Sequence, residues 1–199
     1  MNAPRRSIVR RHLLTLAEEI QSSADMLARS AADYAERVIG TFDAGGRLLM
    51  CGNGGSAATV EHIATEYVIR LKRDRLPLPA IALTAGSAQL TASANDYGYD
   101  RAFVRPLTAF GRRGDLLVLH STSGESENLL AAAEAASRLG IGTVALLGEQ
   151  GGRLGPIVDL PIRVPSRDTA RIQEIHLALE HAVADLVDDY YASGSHGTD

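Results

Sequence analysis

Five short apolar runs between residues 47 and 164 constrain this chain most, because four of them run straight into a glycine- or serine-rich turn. Arg47–Cys51 leads to Gly52–Ser56, Ala80–Leu83 to Thr84–Ser87, Leu116–His120 to Ser121–Ser126, and Thr143–Leu147 to Gly148–Gly152. Helical stretches follow the first three turns: near 57–70, beyond Ser87, and as far as about Arg138. Val158–Val164 is the fifth strand candidate. Short strands alternating with helices imply parallel βαβ units. The predicted fold is therefore α/β: a three-layer α-β-α, doubly wound, five-stranded parallel sheet.

Residues 7–43 read as helix in two segments. Ser7 can cap the first, and Ser22 or Ser23 the second, which carries Met26, Leu27, Tyr34, Val38, Ile39 and Phe42 at roughly 3.6-residue spacing. Their apolar stripes exceed what the sheet domain needs, which predicts burial against another copy of the chain. A last amphipathic helix is predicted from about Thr169 to Tyr191, and Ser193–Asp199 reads as a disordered tail. No repeat or linker divides the chain. One domain over 1–192 is expected, with N-terminal helices over 1–43 and an α/β core over 44–192.

Composition removes several classes of function. A formal net charge of -4, with scattered arginines, gives no phosphate-binding surplus for nucleic acid. The single cysteine, Cys51, rules out an intrachain disulfide framework and a Cys-rich zinc finger. No apolar run approaches a membrane span and no secretory core follows the basic start, so a cytoplasmic location without membrane contact is expected.

In parallel sheets ligands sit beyond the carboxyl ends of the strands, and the two most unusual loops lie there. Gly52-Asn53-Gly54-Gly55-Ser56 lets the backbone approach a ligand closely, and the helix that follows offers free amides to an anion. It is equally readable as a tight strand-to-helix turn. Ser121-Thr122-Ser123-Gly124-Glu125-Ser126 brings four hydroxyls to a helix start. Such a loop can hold a phosphate through neutral donors and the helix dipole, or it can simply cap the helix through Ser123, Ser126 and Glu127. His62 and Glu66 share a helix face, as do His176 and Glu180, and each pair is also readable as a surface pair. Gln173 and His181 are eight residues apart, ~80° round an ideal helix, a spacing that does not itself suggest joint ligation.

At these residues the chain resembles the sugar isomerase (SIS) domain family, and within it the bacterial phosphoheptose isomerases. The shared motifs are CGNGGSAA at 51–58, the His62/Glu66 pair, ANDYGYD at 94–100, STSGES at 121–126, and PSRDTARIQEIH at 165–176 followed by His181. The resemblance implies an aldose–ketose isomerisation of sedoheptulose 7-phosphate to glycero-manno-heptose 7-phosphate. It assigns the phosphate to Ser121, Thr122, Ser123 and Ser126, and the sugar to Asn53, Gly54, Gly55, Ser56, Asn95 and Asp96. It makes Glu66 the base and His181 the acid. It places one zinc ion on His62, Glu66, Gln173 and His181, with Glu66 and Gln173 also meeting substrate. It further implies a homotetramer whose N-terminal helices pack between subunits.

Two positions depart from the common pattern of that family. Glu125 stands where many members have Asn, and Thr84–Ser87 lacks the Asp that many relatives carry beside Gly86. A different phosphosugar substrate is the first alternative reading. A non-catalytic SIS protein that binds the replication initiator is the second, opposed by the full set of His62, Glu66, Gln173 and His181.

Overall fold

The computed structural model describes residues 3–193 of the chain. In chain order the elements are α1 (Ala3–Asp43), β1 (Leu48–Gly52), α2 (Gly55–Val68), β2 (Ala80–Ala82), α3 (Ser87–Tyr97), α4 (Val104–Phe110), β3 (Leu116–Ser121), α5 (Glu127–Leu139), β4 (Gly142–Leu147), β5 (Leu160–Arg163) and α6 (Thr169–Ala192). All five strands are parallel, in the order β2-β1-β3-β4-β5. Of the predicted tail, everything after Ser193 lies outside the described residues.

The expected five strands form, and their sequences explain why. Leu48 and Met50 face one core with Leu116, Val118, Val144 and Leu146. The alternate residues Leu49, Cys51, Leu117, Leu119, Ala145 and Leu147 face a second core on the other side of the sheet. Strands buried on both faces need apolar residues at every position, hence the uninterrupted runs. Residues of α1, α2 and α6 fill the first core, and residues of α4 and α5 the second. Each fully buried leucine in these layers contributes ~1.5–3 kcal/mol of transfer free energy.

The N-terminal segment differs from expectation. It is one continuous helix of 41 residues rather than two. Ser22 and Ser23 cap nothing: both hydroxyls donate back to the carbonyl of Glu19 one turn earlier, which a helix interior accommodates. The second half of α1 is anchored through Leu27, Ala31, Tyr34 and Val38, whereas Ile8, Val9, Leu13 and Leu14 in the first half remain exposed.

The strand order contains one switch point. From β1 the chain moves outward to β2, then returns to place β3 on the other side of β1. Gly52 at the end of β1 pairs in register with His120, one residue before the end of β3. The two unusual loops therefore leave the sheet side by side, where parallel sheets form their ligand crevice.

Candidate active site

The first loop turns the chain from β1 into α2 through glycine. Gly54 has φ +56°, a left-handed conformation that other residues rarely adopt. At Gly55 a Cβ would fall 2.6 Å from Gln173 Oε1. A Cβ there would push the Gln173 amide aside from the first turn of α2, against which it lies. Ser56 is buried in that same turn.

Seven residues beyond Gly55 on α2 is His62, and eight beyond Gln173 on α6 is His181. Gln173 and His181 thus face the same neighbouring helix two turns apart, which accommodates the ~80° drift between them. The imidazoles of His62 and His181 approach Nε2 to Nε2 at 3.0 Å, with their rings nearly perpendicular. Glu66 Oε1 lies 3.6 Å from His62 Nε2. One ligand atom from each of His62, Glu66 and His181 falls within 4.8 Å of the others. Two imidazole nitrogens and a carboxylate converging this closely form a donor set suited to zinc.

The second loop builds its own scaffold. Ser121 Oγ, buried at the end of β3, accepts the backbone N–H of Gly124 at 2.9 Å. Ser123 Oγ accepts that of Glu125 at 3.2 Å. Both hydroxyl protons stay available to an incoming oxyanion. Ser126 is the residue before α5, yet its hydroxyl makes no capping bond. The helix-cap alternative is therefore not what the structure adopts. Gly124 has φ +71°, and a Cβ there would collide with the carbonyl of Gly151, so the loop rests directly on the turn after β4. A cleft of about 260 Å³ opens here, lined by Thr122, Ser123 and Glu125 on one side and Glu149, Arg167 and Thr169 on the other. None of His62, Glu66 and His181 lines this cleft.

Glu125 is turned to its own partner. Its carboxylate accepts the backbone N–H of Arg153 at 3.1 Å and the guanidinium Nε at 2.9 Å. That pairing offsets a negative charge beside the hydroxyl loop. Arg167, in the cleft wall, is paired with Glu149.

Asn53 reaches across the switch point. Its Nδ2 donates to Asn128 Oδ1 at 2.9 Å, Asn128 Nδ2 donates back to its Oδ1 at 2.8 Å, and Tyr99 O–H donates to the same Oδ1 at 2.9 Å. Asn95 and Asp96 stand apart on the exposed surface of α3, where Asn95 Nδ2 bonds Asp96 Oδ1 at 2.9 Å. Among the described residues it is Tyr99, from the same ANDYGYD motif, that reaches the first loop. Sequence reasoning assigned no role to Tyr99 or Asn128.

The His176/Glu180 pair is not a surface pair. Both side chains are buried, and Glu180 bonds other partners. Its Oε1 lies 2.7 Å from His120 Nε2, and Tyr34 O–H donates to its Oε2 at 3.2 Å. His176 Nε2 meets the carbonyl of Leu147 at 3.3 Å. Burial, with His120 nearby, pushes the His176 imidazole down to about 3. Burial first, then the Glu180 charge, pushes the Tyr34 phenol well up. The signal was present: His176 and Glu180 lie on the same stripe of α6 as Ile172, Val183 and Val187. Burial likewise raises the Cys51 thiol well above its ordinary value, leaving it no nucleophilic role. No helix among the described residues is long and apolar enough to cross a membrane.

Comparison with known proteins agrees with this architecture. The SIS domain family matches residues 5–148. The phosphoheptose isomerase of Roseiflexus sp. (strain RS-1) is 47% identical over 195 residues, 94% of this chain and 97% of that protein. That of Mycobacterium tuberculosis (strain ATCC 25177 / H37Ra) is 48% identical over 163 residues, 82% of this chain and 83% of the other. The solved phosphoheptose isomerase from Neisseria gonorrhoeae superimposes with a TM-score of 0.88 at 37% identity, covering 92% of this chain and 98% of that one. The one from Francisella tularensis gives 0.89 at 33% identity, covering 95% and 100%. By sequence and by fold, the chain belongs to the SIS domain family and, within it, to the phosphoheptose isomerases.

Proposed function

We propose that this isomerase converts sedoheptulose 7-phosphate to D-glycero-D-manno-heptose 7-phosphate by proton transfer through an enediolate. The convergence of His62, Glu66 and His181 on the helix that follows the glycine turn and on α6 carries the reading. Moving a carbonyl between C1 and C2 needs a base at carbon and an acid at oxygen. Glu66 takes the carbon-bound proton and returns it to the neighbouring carbon. His181 exchanges the proton on oxygen. Ser121, Thr122, Ser123 and Ser126 bind the phosphate through their hydroxyls and the start of α5. Asn53, Gly54, Gly55, Ser56, Asn95 and Asp96 meet the sugar, as does Gln173.

His62, Glu66 and His181, with Gln173, would hold one zinc ion. When bound, it supplies Lewis-acid polarisation of the substrate oxygens. The phosphate cleft and the histidine pair are separate within one chain, and the first half of α1 carries exposed apolar residues. Both support a homotetramer, with sites completed between subunits. A cytoplasmic location fits a phosphorylated substrate.

Glu125 in the cleft wall keeps a second reading in play, a different ketose or aminosugar phosphate. One experiment separates the two: incubate purified protein with sedoheptulose 7-phosphate, with and without added zinc, and follow aldose formation by NMR. Aldose signals support the heptose reading. No turnover, alongside turnover of another phosphosugar in the same panel, rejects it.

A further inference from the structure

We propose that Asn128 is a positioning residue of the isomerase reaction: it holds the Asn53 amide, and with it the Gly52–Ser56 turn, in register with the hydroxyl loop. The inference rests on the function proposed above. Its basis is the reciprocal amide pair, two hydrogen bonds of 2.9 and 2.8 Å between side chains 75 residues apart in the chain. Asn53 follows the last residue of β1, and Asn128 is the second residue of α5, just past the loop that leaves β3. The pair therefore bridges the switch point, where the two substrate-facing loops diverge from adjacent strands.

The chemistry of the bridge is specific. A closed two-bond ring needs a donor and an acceptor on each side chain, which a primary amide supplies and a carboxylate or alkyl group does not. Asn128 is buried, at 2% exposure, so its amide has little water to turn to. Asn53 is only half-buried, and its Oδ1 is fully used by Asn128 and Tyr99. One N–H of Asn53 Nδ2 is left over, fixed in direction by the ring and available to a sugar oxygen. Among the described residues the Asn128 side chain bonds Asn53 and neither Ser121 nor Ser123, whose hydroxyls are engaged with backbone amides of their own loop. The bridge thus governs how the sugar end is aimed and leaves phosphate capture to the hydroxyl loop. Misplacing a reacting group by about 1 Å can cost ~10²-fold in rate even when binding persists.

The test is a double-mutant cycle on the full chain with zinc present, using Asn128→Ala and Asn53→Ala, with Asn128→Asp as a second variant of the buried position. Alone, Asn128→Ala is expected to lower kcat for sedoheptulose 7-phosphate by ~10-fold or more, while the calorimetric Kd for inorganic phosphate changes by less than about 2-fold. In the Asn53→Ala background the same substitution is expected to cost less than about 2-fold, since it has nothing left to position. Asn128→Asp, isosteric but setting a carboxylate oxygen against Asn53 Oδ1, breaks the ring as well and is expected to lower kcat at least as far as Asn128→Ala; a kcat near wild type overturns the proposal. An unchanged kcat overturns the proposal, as does an equal loss in both backgrounds. Parallel weakening of phosphate binding overturns it too, because Asn128 would then merely brace the loop. If wild type turns over no sedoheptulose 7-phosphate, the substrate reading fails separately. The cycle is then read on the affinity that sedoheptulose 7-phosphate gains over inorganic phosphate: loss of that gain in Asn128→Ala supports positioning, and retention overturns it.

Discussion

His62 and His181, 119 residues apart in sequence, meet Nε2 to Nε2 at 3.0 Å. Two neutral imidazoles satisfy that contact only if one is protonated at Nε2. A shared cation lets both present lone pairs. Zinc is therefore expected to stabilise the fold. At 100 times its Kd a ligand adds ~2.7 kcal/mol. For a chain of 199 residues that corresponds to roughly 5–10 °C in Tm. Thermal melts of chelated and zinc-loaded protein measure this. The double variant His62→Ala/His181→Ala should lose the shift, along with most of its bound zinc. An equal shift in both proteins places the metal elsewhere.

The hydroxyl loop gives a binding prediction. Replacing Ser123 with alanine removes a donor that the fold does not need for capping, so KM should rise ~10-fold or more with kcat within about 3-fold. Ser121→Ala should match that rise and also cost ~1–3 kcal/mol of stability, because the Gly124 N–H loses its buried acceptor. Steady-state kinetics and urea titrations separate the two effects. If KM is unchanged in both variants, the loop does not bind phosphate.

Glu180 is fully buried between His120 and Tyr34. Glu180→Ala leaves both partners without their acceptor and should destabilise by ~3–5 kcal/mol. Replacing both members, in His120→Leu/Glu180→Leu, should recover much of that loss, since a matched apolar pair avoids the desolvation cost. Urea unfolding of the three proteins tests the order. A double variant weaker than the single one would show that the pair contributes net stability.

His176 sets a pH dependence. Its folded-state pKa, pushed down to about 3 by burial, lies below the ordinary imidazole value. The unfolded chain therefore takes up this proton first, beginning near pH ~6.5. The contribution is complete above that pH and is lost as pH falls toward 3, at up to ~1.4 kcal/mol per pH unit. Unfolding at pH 7, 6 and 5 should show the slope in wild type and a shallower one in His176→Asn. Parallel slopes would remove His176 as the source.

The strands were readable because burial on both faces left continuous apolar runs, as in Leu116–Leu119. The switch-point loops were readable because glycine at 54 and 124 and hydroxyls at 121–126 are unusual in those places. The continuity of α1 was not: Ser22 and Ser23 look like caps unless the chain beyond Glu19 is known to stay helical. Nor was the Asn53–Asn128 bridge, since no local pattern announces a partner 75 residues away. Spacing left His62/Glu66 and His176/Glu180 alike. Only packing separates them: the first pair borders α6 at the sheet end, and the second faces the core.

The first half of α1 predicts assembly. Ile8, Val9 and Leu13 are 49%, 60% and 63% exposed on a helix whose second half is well anchored. Light scattering should return about four times the 21.1 kDa chain mass. Val9→Glu/Leu13→Glu should shift it downward by placing charges at the proposed seam. A mass near that of one chain in the wild type excludes this assembly.

Glu66 and His181 carry the sharpest prediction. Glu66 sits on the helix that starts at the glycine turn, and His181 on α6, so the fold brings the proposed base and acid together from opposite ends of the α/β core. Glu66 has a side chain only 16% exposed and lies against His62, which holds a compact carboxylate where it can swing between two adjacent carbons. Glu66→Gln keeps size and hydrogen-bonding capacity but cannot accept the carbon-bound proton, so kcat should fall by ~10²-fold or more. KM should move far less, because the proposed phosphate site is on the other loop. His181→Gln should lower kcat comparably and also reduce zinc content, since it removes the proposed ligand as well as the proposed acid. A further readout isolates the proton step: a proton held on Glu66 exchanges with solvent before it is returned, so wild-type turnover in D₂O should place deuterium at C2 of the aldose, and Glu66→Gln should slow that incorporation in step with kcat. If Glu66→Gln keeps near-wild-type kcat and exchange, the base is another group and Glu66 serves only as a metal ligand.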